Sequence, residues 1–174
     1  MECGIKAAET MDSIEQEITL GKVEIQEAKY QQASERFQRL LGAHPDNPEI
    51  IHGLTIIATN SDDLERALAL ANKAVQLDDK NSEFANTLSV VRFMTGDKGG
   101  AIDALTKIAN DNPGDKEAHI NLAEMAGSAN MPEAAYNALE QYLNHAGADE
   151  QVLDIIGQIF NNLLADQPVP ERPD

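Results

Sequence analysis

A chain of 174 residues with 13 Lys and Arg against 30 Asp and Glu has a formal charge of −17, which repels phosphate backbones and anionic membrane surfaces and favours basic or amphipathic partners. Apolar residues make up 42% but aromatic ones only 4%, with Trp absent, so Ala, Leu and Ile must fill the core, which suits close-packed helices. No stretch approaches the roughly 18 apolar residues of a membrane span, and Cys3, the one cysteine, can form no intramolecular disulfide.

Residues 1–12 read as an N-terminal extension, with acids where a signal peptide needs a basic start and an apolar run, so the expected location is cytoplasmic. Amphipathic patterning then predicts helices over 13–27, 31–43, 48–59, 62–77, 82–95, 98–111, 116–128, 131–145 and 150–165. Asn47 is placed to cap the third, with Pro48 in its first turn, and Asp62 with Glu65 marks the start of the fourth. Gly96 and Asn130 tolerate positive φ where helices must stop. No strand-like alternation competes over a comparable length.

These helices repeat. Ala33, Ala67, Ala101 and Ala135 recur every 34 residues, as do Leu20, Leu54, Leu88 and Leu122. Phe37, Ala71, Leu105 and Leu139 follow each alanine by four residues, and Leu40, Ala74, Ile108 and Tyr142 lie three further on, on the same helical face. Pro45, Asp79 and Pro113 close the first three units. The small column has a physical reason: a methyl group lets two antiparallel helices approach while Leu or Phe fills the flanking space.

In its Leu column, its Ala column, the following Phe or Leu, the closing Pro45 and Pro113, the Leu20-Gly21 pair and Tyr30, the chain over about residues 14–149 resembles the tetratricopeptide-repeat family. Glu17, Ile51, Ala85 and His119 stand where that family prefers Trp, and Gly follows the column Leu only once. The resemblance implies an all-α fold, an α-solenoid of about four helix-turn-helix repeats over 13–149 with a C-terminal capping helix over 150–165. It also implies a right-handed superhelix whose first helices line a concave groove for peptides or partner helices.

On that reading the groove draws on Ile18, Lys22, Ile25, His52, Ile56, Thr59, Asn86, Val90, Phe93, Ile120 and Glu124. Val90 and Phe93 serve either as anchors for an amphipathic segment or as packing between repeats. The carboxylate grip of some family members needs Lys, Asn and Arg on successive first helices. Of that set only Lys22 is present, with Ile18, Gly53, Glu83 and Thr87 at the other aligned positions. Glu49, Glu83 and Glu117 recur near first-helix starts, where they complement the helix dipole and would suit a basic ligand rim.

Nothing converges as an enzyme site requires. His44, His52, His119 and His145 lie in different units, and His119 falls in a packing column and reads as a hydrogen-bonded core residue. Gly99-Gly100 lacks the Lys-Ser or Lys-Thr of a phosphate loop. No catalytic residue, cofactor or metal is expected. The last helix is amphipathic, and its apolar face either caps the fourth repeat or meets a second copy of the chain through Phe160 and Leu164. Residues 166–174, with Pro168, Pro170 and Pro173, read as a disordered Pro-rich tail. The expectation is a noncatalytic scaffold or adaptor binding an amphipathic or basic protein segment; the alternative is a homo-oligomeric assembly module. An auxiliary repeat domain of a larger enzyme or secretion protein is the third option.

Overall fold

The computed structural model describes residues 2–165, with side chains over 13–159 and at Asn161. Among the described residues it holds helices and no strand: α1 (Glu2–Gln26), α2 (Tyr30–Ala43), α3 (Pro48–Asn60), α4 (Leu64–Leu77), α5 (Ser82–Met94), α6 (Lys98–Asp111), α7 (Lys116–Ser128), α8 (Pro132–Ala146) and α9 (Glu150–Ala165). The first helix starts at Glu2, not at residue 13, so helix runs through what composition marked as an extension. The Pro-rich tail and the side chains of Phe160 and Leu164 lie outside the described residues.

Each helix starts and stops for local reasons that keep the 34-residue period. First helices are capped by Asn47, Asn81, Asp115 and Asp149, whose side-chain oxygens accept from backbone N–H groups two or three residues on. Second helices use Asp63 and Asp97 in the same way, so the fourth helix is capped by Asp63 and not by Asp62. Asp62 instead takes a left-handed backbone, φ 59°, matching Ala28, Gly96 and Asn130 at the same turn position. There the N–H groups of Lys29, Asp63 and Met131 bond back to the carbonyls of Glu24, Ala58 and Ala126, which ends each first helix and reverses the chain.

The chain forms two compact units, Met1–Thr95 and Gly96–Asp174. In the first, α1 to α5 enclose a cluster of Ile18, Ala33, Phe37, Leu40, Ile50, Leu54 and Ile57, joined by smaller groups around Ile51, Ala74 and Phe84 and around Ala58, Ala67 and Val91. The Phe37 ring lies against α1 on one side and α3 on the other, at Gly21 and Gly53. Arg36 ties α2 to α1, donating to both carboxylate oxygens of Glu24 at 3.0 and 2.7 Å and to Glu17. That guanidinium holds the Glu24 carboxyl below its usual range.

One column departs from expectation. Leu54, Leu88 and Leu122 are buried, but Leu20 is 49% exposed, and Val23 likewise is exposed where its counterpart Ile57 is buried. Leu54 and Ile57 belong to the cluster that contains Phe37 and Leu40 of the preceding helix, whereas Leu20 and Val23 lie outside it.

In the second unit α6, α7, α8 and α9 pack in chain order. Ala101 and Leu105 of α6, Leu122 and Ala126 of α7 and Ala135 and Leu139 of α8 are buried, and Val152 inserts α9. Lys116 at the start of α7 donates to Asp149 at 2.8 Å, the residue that also caps α9. Both contacts pull the Asp149 carboxyl below its ordinary range, the Lys116 bond most strongly.

Candidate functional site

The eleven residues expected to line a binding face fall into 34-residue columns, and the columns have different surroundings. Lys22, Ile56 and Val90 are half-buried and Glu124 is exposed; Ile25, Thr59 and Phe93 are half-buried. Ile18, His52 and Asn86 are buried, because their column falls in the seam where successive first helices pack side by side. The expectation that these three face a ligand broadly is corrected accordingly: Ile18 is part of the core, and His52 is 2% exposed. In the second unit, Ile120 of the same column is half-buried.

His52 organises the face of α1, α3 and α5. Its Nε2 lies 2.9 Å from Thr87 Oγ1 of α5, its ring stacks at a tilt on Phe84 with centroids 4.8 Å apart, and its Nδ1 lies 3.8 Å from a Glu83 carboxylate oxygen. Burial pushes its pKa below the ordinary 6.5, against the attraction of Glu83 and Glu49. The ring is thus neutral at pH 7. Lys22 of α1 pairs with Glu49 in the first turn of α3, and Thr59 turns its hydroxyl inward to the Thr55 carbonyl at 2.9 Å.

Between these groups lies a half-enclosed cavity of about 120 Å³, lined by Lys22, Ile25, Gln26, His52, Gly53, Ile56 and Glu83. Gly53 stands out in the sequence only as a departure from the carboxylate grip and Gln26 not at all, whereas Glu83 recurs with Glu49 and Glu117 as an acid that would suit a basic ligand rim. A detectable signal was there: Glu49 and Glu83 are 34 residues apart, and Thr87 lies one residue beyond the same spacing from His52.

His119 is a core residue. Its Nδ1 donates to the Ala138 carbonyl at 2.7 Å and its ring sits 5.9 Å from that of Tyr142, while Nε2 is buried without a hydrogen-bond partner. Among the described residues no group of three or more His, Cys, Asp or Glu side chains is arranged to hold a metal, and no helix is long and apolar enough to cross a membrane.

Helix pairs with a constant turn, a constant capping position and a small-residue crossing define a helical-repeat protein. The tetratricopeptide-repeat profile matches residues 24–90, and the solved structures with the same architecture include proteins of that family, so this segment carries tetratricopeptide repeats. A thermophilic TPR protein of Thermus thermophilus, TTC0263, superposes with a TM-score of 0.75 at 17% identity, over 85% of this chain and 81% of that one. YrrB, a TPR protein with an unusual peptide-binding site, superposes at 0.64 and 18% identity, over 78% of this chain and 70% of that one. A chain of the APC/C hetero-tetramer Cut9–Hcn1 superposes at 0.71 and 19% identity, and the match spans 82% of this chain but only 29% of that protein. At such identities the likeness establishes the fold. No protein of curated function matches the sequence.

Proposed function

We propose that the chain is a noncatalytic, cytoplasmic interaction scaffold that binds a peptide or helix of a partner protein on its first-helix face, through apolar anchors and with a preference for basic segments. The observation that carries this reading is the cavity of α1, α3 and α5, where Ile25 and Ile56 stay partly open beside charged Lys22 and Glu83. Val90 and Phe93 continue that half-buried face along α5. Such a surface offers apolar anchoring points with polar groups at their edge. A net charge of −17 favours approach of basic partners and slows acidic ones. The test is selection of peptides from a displayed random library against the folded protein. Binding should be lost in Phe93→Asp while helicity persists; peptides that bind Phe93→Asp undiminished refute the assignment of this face.

A second reading rests on a different observation. Leu20 and Val23 of α1 and Leu153 of α9 are exposed apolar side chains on the terminal helices, at positions whose counterparts in other repeats are largely covered. Exposed apolar side chains call for a covering partner, so this favours a homo-oligomer built through α1 and α9, including Phe160 and Leu164. Light scattering over a concentration series separates the two: a dimer that dissociates in Leu20→Glu or Phe160→Glu supports assembly, and a mass of 18.9 kDa throughout removes it.

A further inference from the structure

We infer that the cavity between α1, α3 and α5 is a subsite for one cationic side chain, Lys or Arg, of the bound segment, seated with its stem on Ile25 and Ile56 and its charge on Glu83. The inference rests on the peptide-binding reading above and names the chemistry the site selects.

Of the two acids beside the cavity, Glu49 is neutralised by Lys22. Glu83 has no cationic partner among the described residues: its nearest basic atom is Nδ1 of His52 at 3.8 Å, on a buried ring held at Thr87. Lys22, Glu49 and Glu83 therefore leave one uncompensated negative charge. Shape restricts the occupant next. About 120 Å³ is well below the roughly 300 Å³ at which pockets for metabolites begin, yet the space is half-enclosed, so it suits a single long side chain. The walls decide the rest. Ile25 and Ile56 offer apolar surface to a methylene stem, and Lys and Arg are the side chains that bury a stem while keeping the charged head at a polar edge. An aliphatic side chain would cover Glu83 without satisfying it, and an acidic one would be repelled.

The library selection is run in parallel on the wild type and on Glu83→Gln, an exposed position whose substitution should leave the fold intact by circular dichroism. Wild-type binders should share a basic residue at a fixed position, and that enrichment should vanish with Glu83→Gln. For one selected peptide made synthetically, replacing the basic residue by norleucine should weaken binding about five- to ten-fold to the wild type and less than two-fold to Glu83→Gln. The amide of Gly53 should shift on binding in the NMR spectrum only when the basic residue is present. Binders that lack a basic residue but still require Phe93 overturn the subsite and leave the peptide-binding reading standing. Binders whose basic residue is insensitive to Glu83→Gln also overturn the subsite. A library that yields no binder removes both.

Discussion

Phe37 gives the sharpest test of the packing, because its ring sits between two residues that have no side chain. A Cβ built at Gly53 would lie 2.6 Å from both Cε2 and Cζ of the ring, and one at Gly21 would lie 2.5 Å from Cζ on the opposite side. Gly53 is in the interior of α3, so Gly53→Ala gains about 0.8–1.0 kcal/mol of helix propensity. Against this stands overpacking, which costs about 1–3 kcal/mol when neighbours must leave their rotamers. Phe37 is fully buried and backed by α1 at Gly21, so the ring cannot retreat, and the upper part of that range applies. The expected net effect is destabilisation by about 1–2 kcal/mol, read as a lower urea midpoint.

The control is Gly157→Ala in α9, an exposed helical glycine whose added Cβ would meet nothing within 4 Å. It should stabilise by about the full propensity difference, roughly 0.8–1.0 kcal/mol. In a Phe37→Leu background Gly53→Ala should turn neutral or stabilising, a coupling of at least about 1 kcal/mol between residues in direct contact. If Gly53→Ala alone raised the midpoint as Gly157→Ala does, the packing of α1 and α3 on Phe37 would be wrong.

The remaining predictions probe other parts of the structure. Ala28 adopts φ 57° at a turn position held elsewhere by Asp, Gly and Asn, so Ala28→Gly should raise the urea midpoint by an amount equivalent to about 1 kcal/mol; a lower midpoint would contradict the left-handed turn. Ala101→Leu adds three carbons at a fully buried helix crossing and should destabilise by about 1–3 kcal/mol, and an unchanged midpoint would contradict the repeat register. Arg36→Ala leaves Glu24 without its bidentate partner, while Glu17 keeps Arg39, and should cost about 1–2 kcal/mol after allowing for partial exposure, with faster amide exchange in α1 as the local readout. His52 binds its proton more weakly folded than unfolded, so its contribution holds above pH 6.5 and stability falls as pH drops below that value toward the lower folded pKa. The urea midpoint of His52→Gln should therefore decline less than that of the wild type between about pH 7.5 and 5.5, and parallel declines would refute the burial argument.

How far the sequence was legible follows from what each residue answers to. Period and helix ends are local: a cap oxygen, a residue that accepts positive φ and a methyl at a crossing act within one turn or one helix pair. Thus Ala33, Ala67, Ala101 and Ala135 are all fully buried as their spacing required, and Asn47 caps α3 as its position before Pro48 suggested. Leu20 shows where that logic stops. A column identifies equivalent positions, but burial needs a neighbour: Leu54 packs in a cluster with Phe37 and Leu40 of the preceding helix, and Leu20 lies outside that cluster. The binding face was half legible for a related reason. Helical period assigns residues to faces about 100° wide, so it grouped Ile18, His52 and Asn86 with Lys22, Ile56 and Val90. The seam between adjacent first helices divides that sector, burying one column and leaving the next half-open. Which carboxylate stays without a cation was less legible still, since it depends on side-chain reach between helices: Lys22 of α1 meets Glu49 of α3 and so leaves Glu83 as the uncompensated charge. The proposed selection therefore rests on the difference between two equivalent glutamates, which the repeat makes alike and one column residue makes unlike: Glu49 has Lys22 beside it, whereas the counterpart of Lys22 that would serve Glu83 is Ile56.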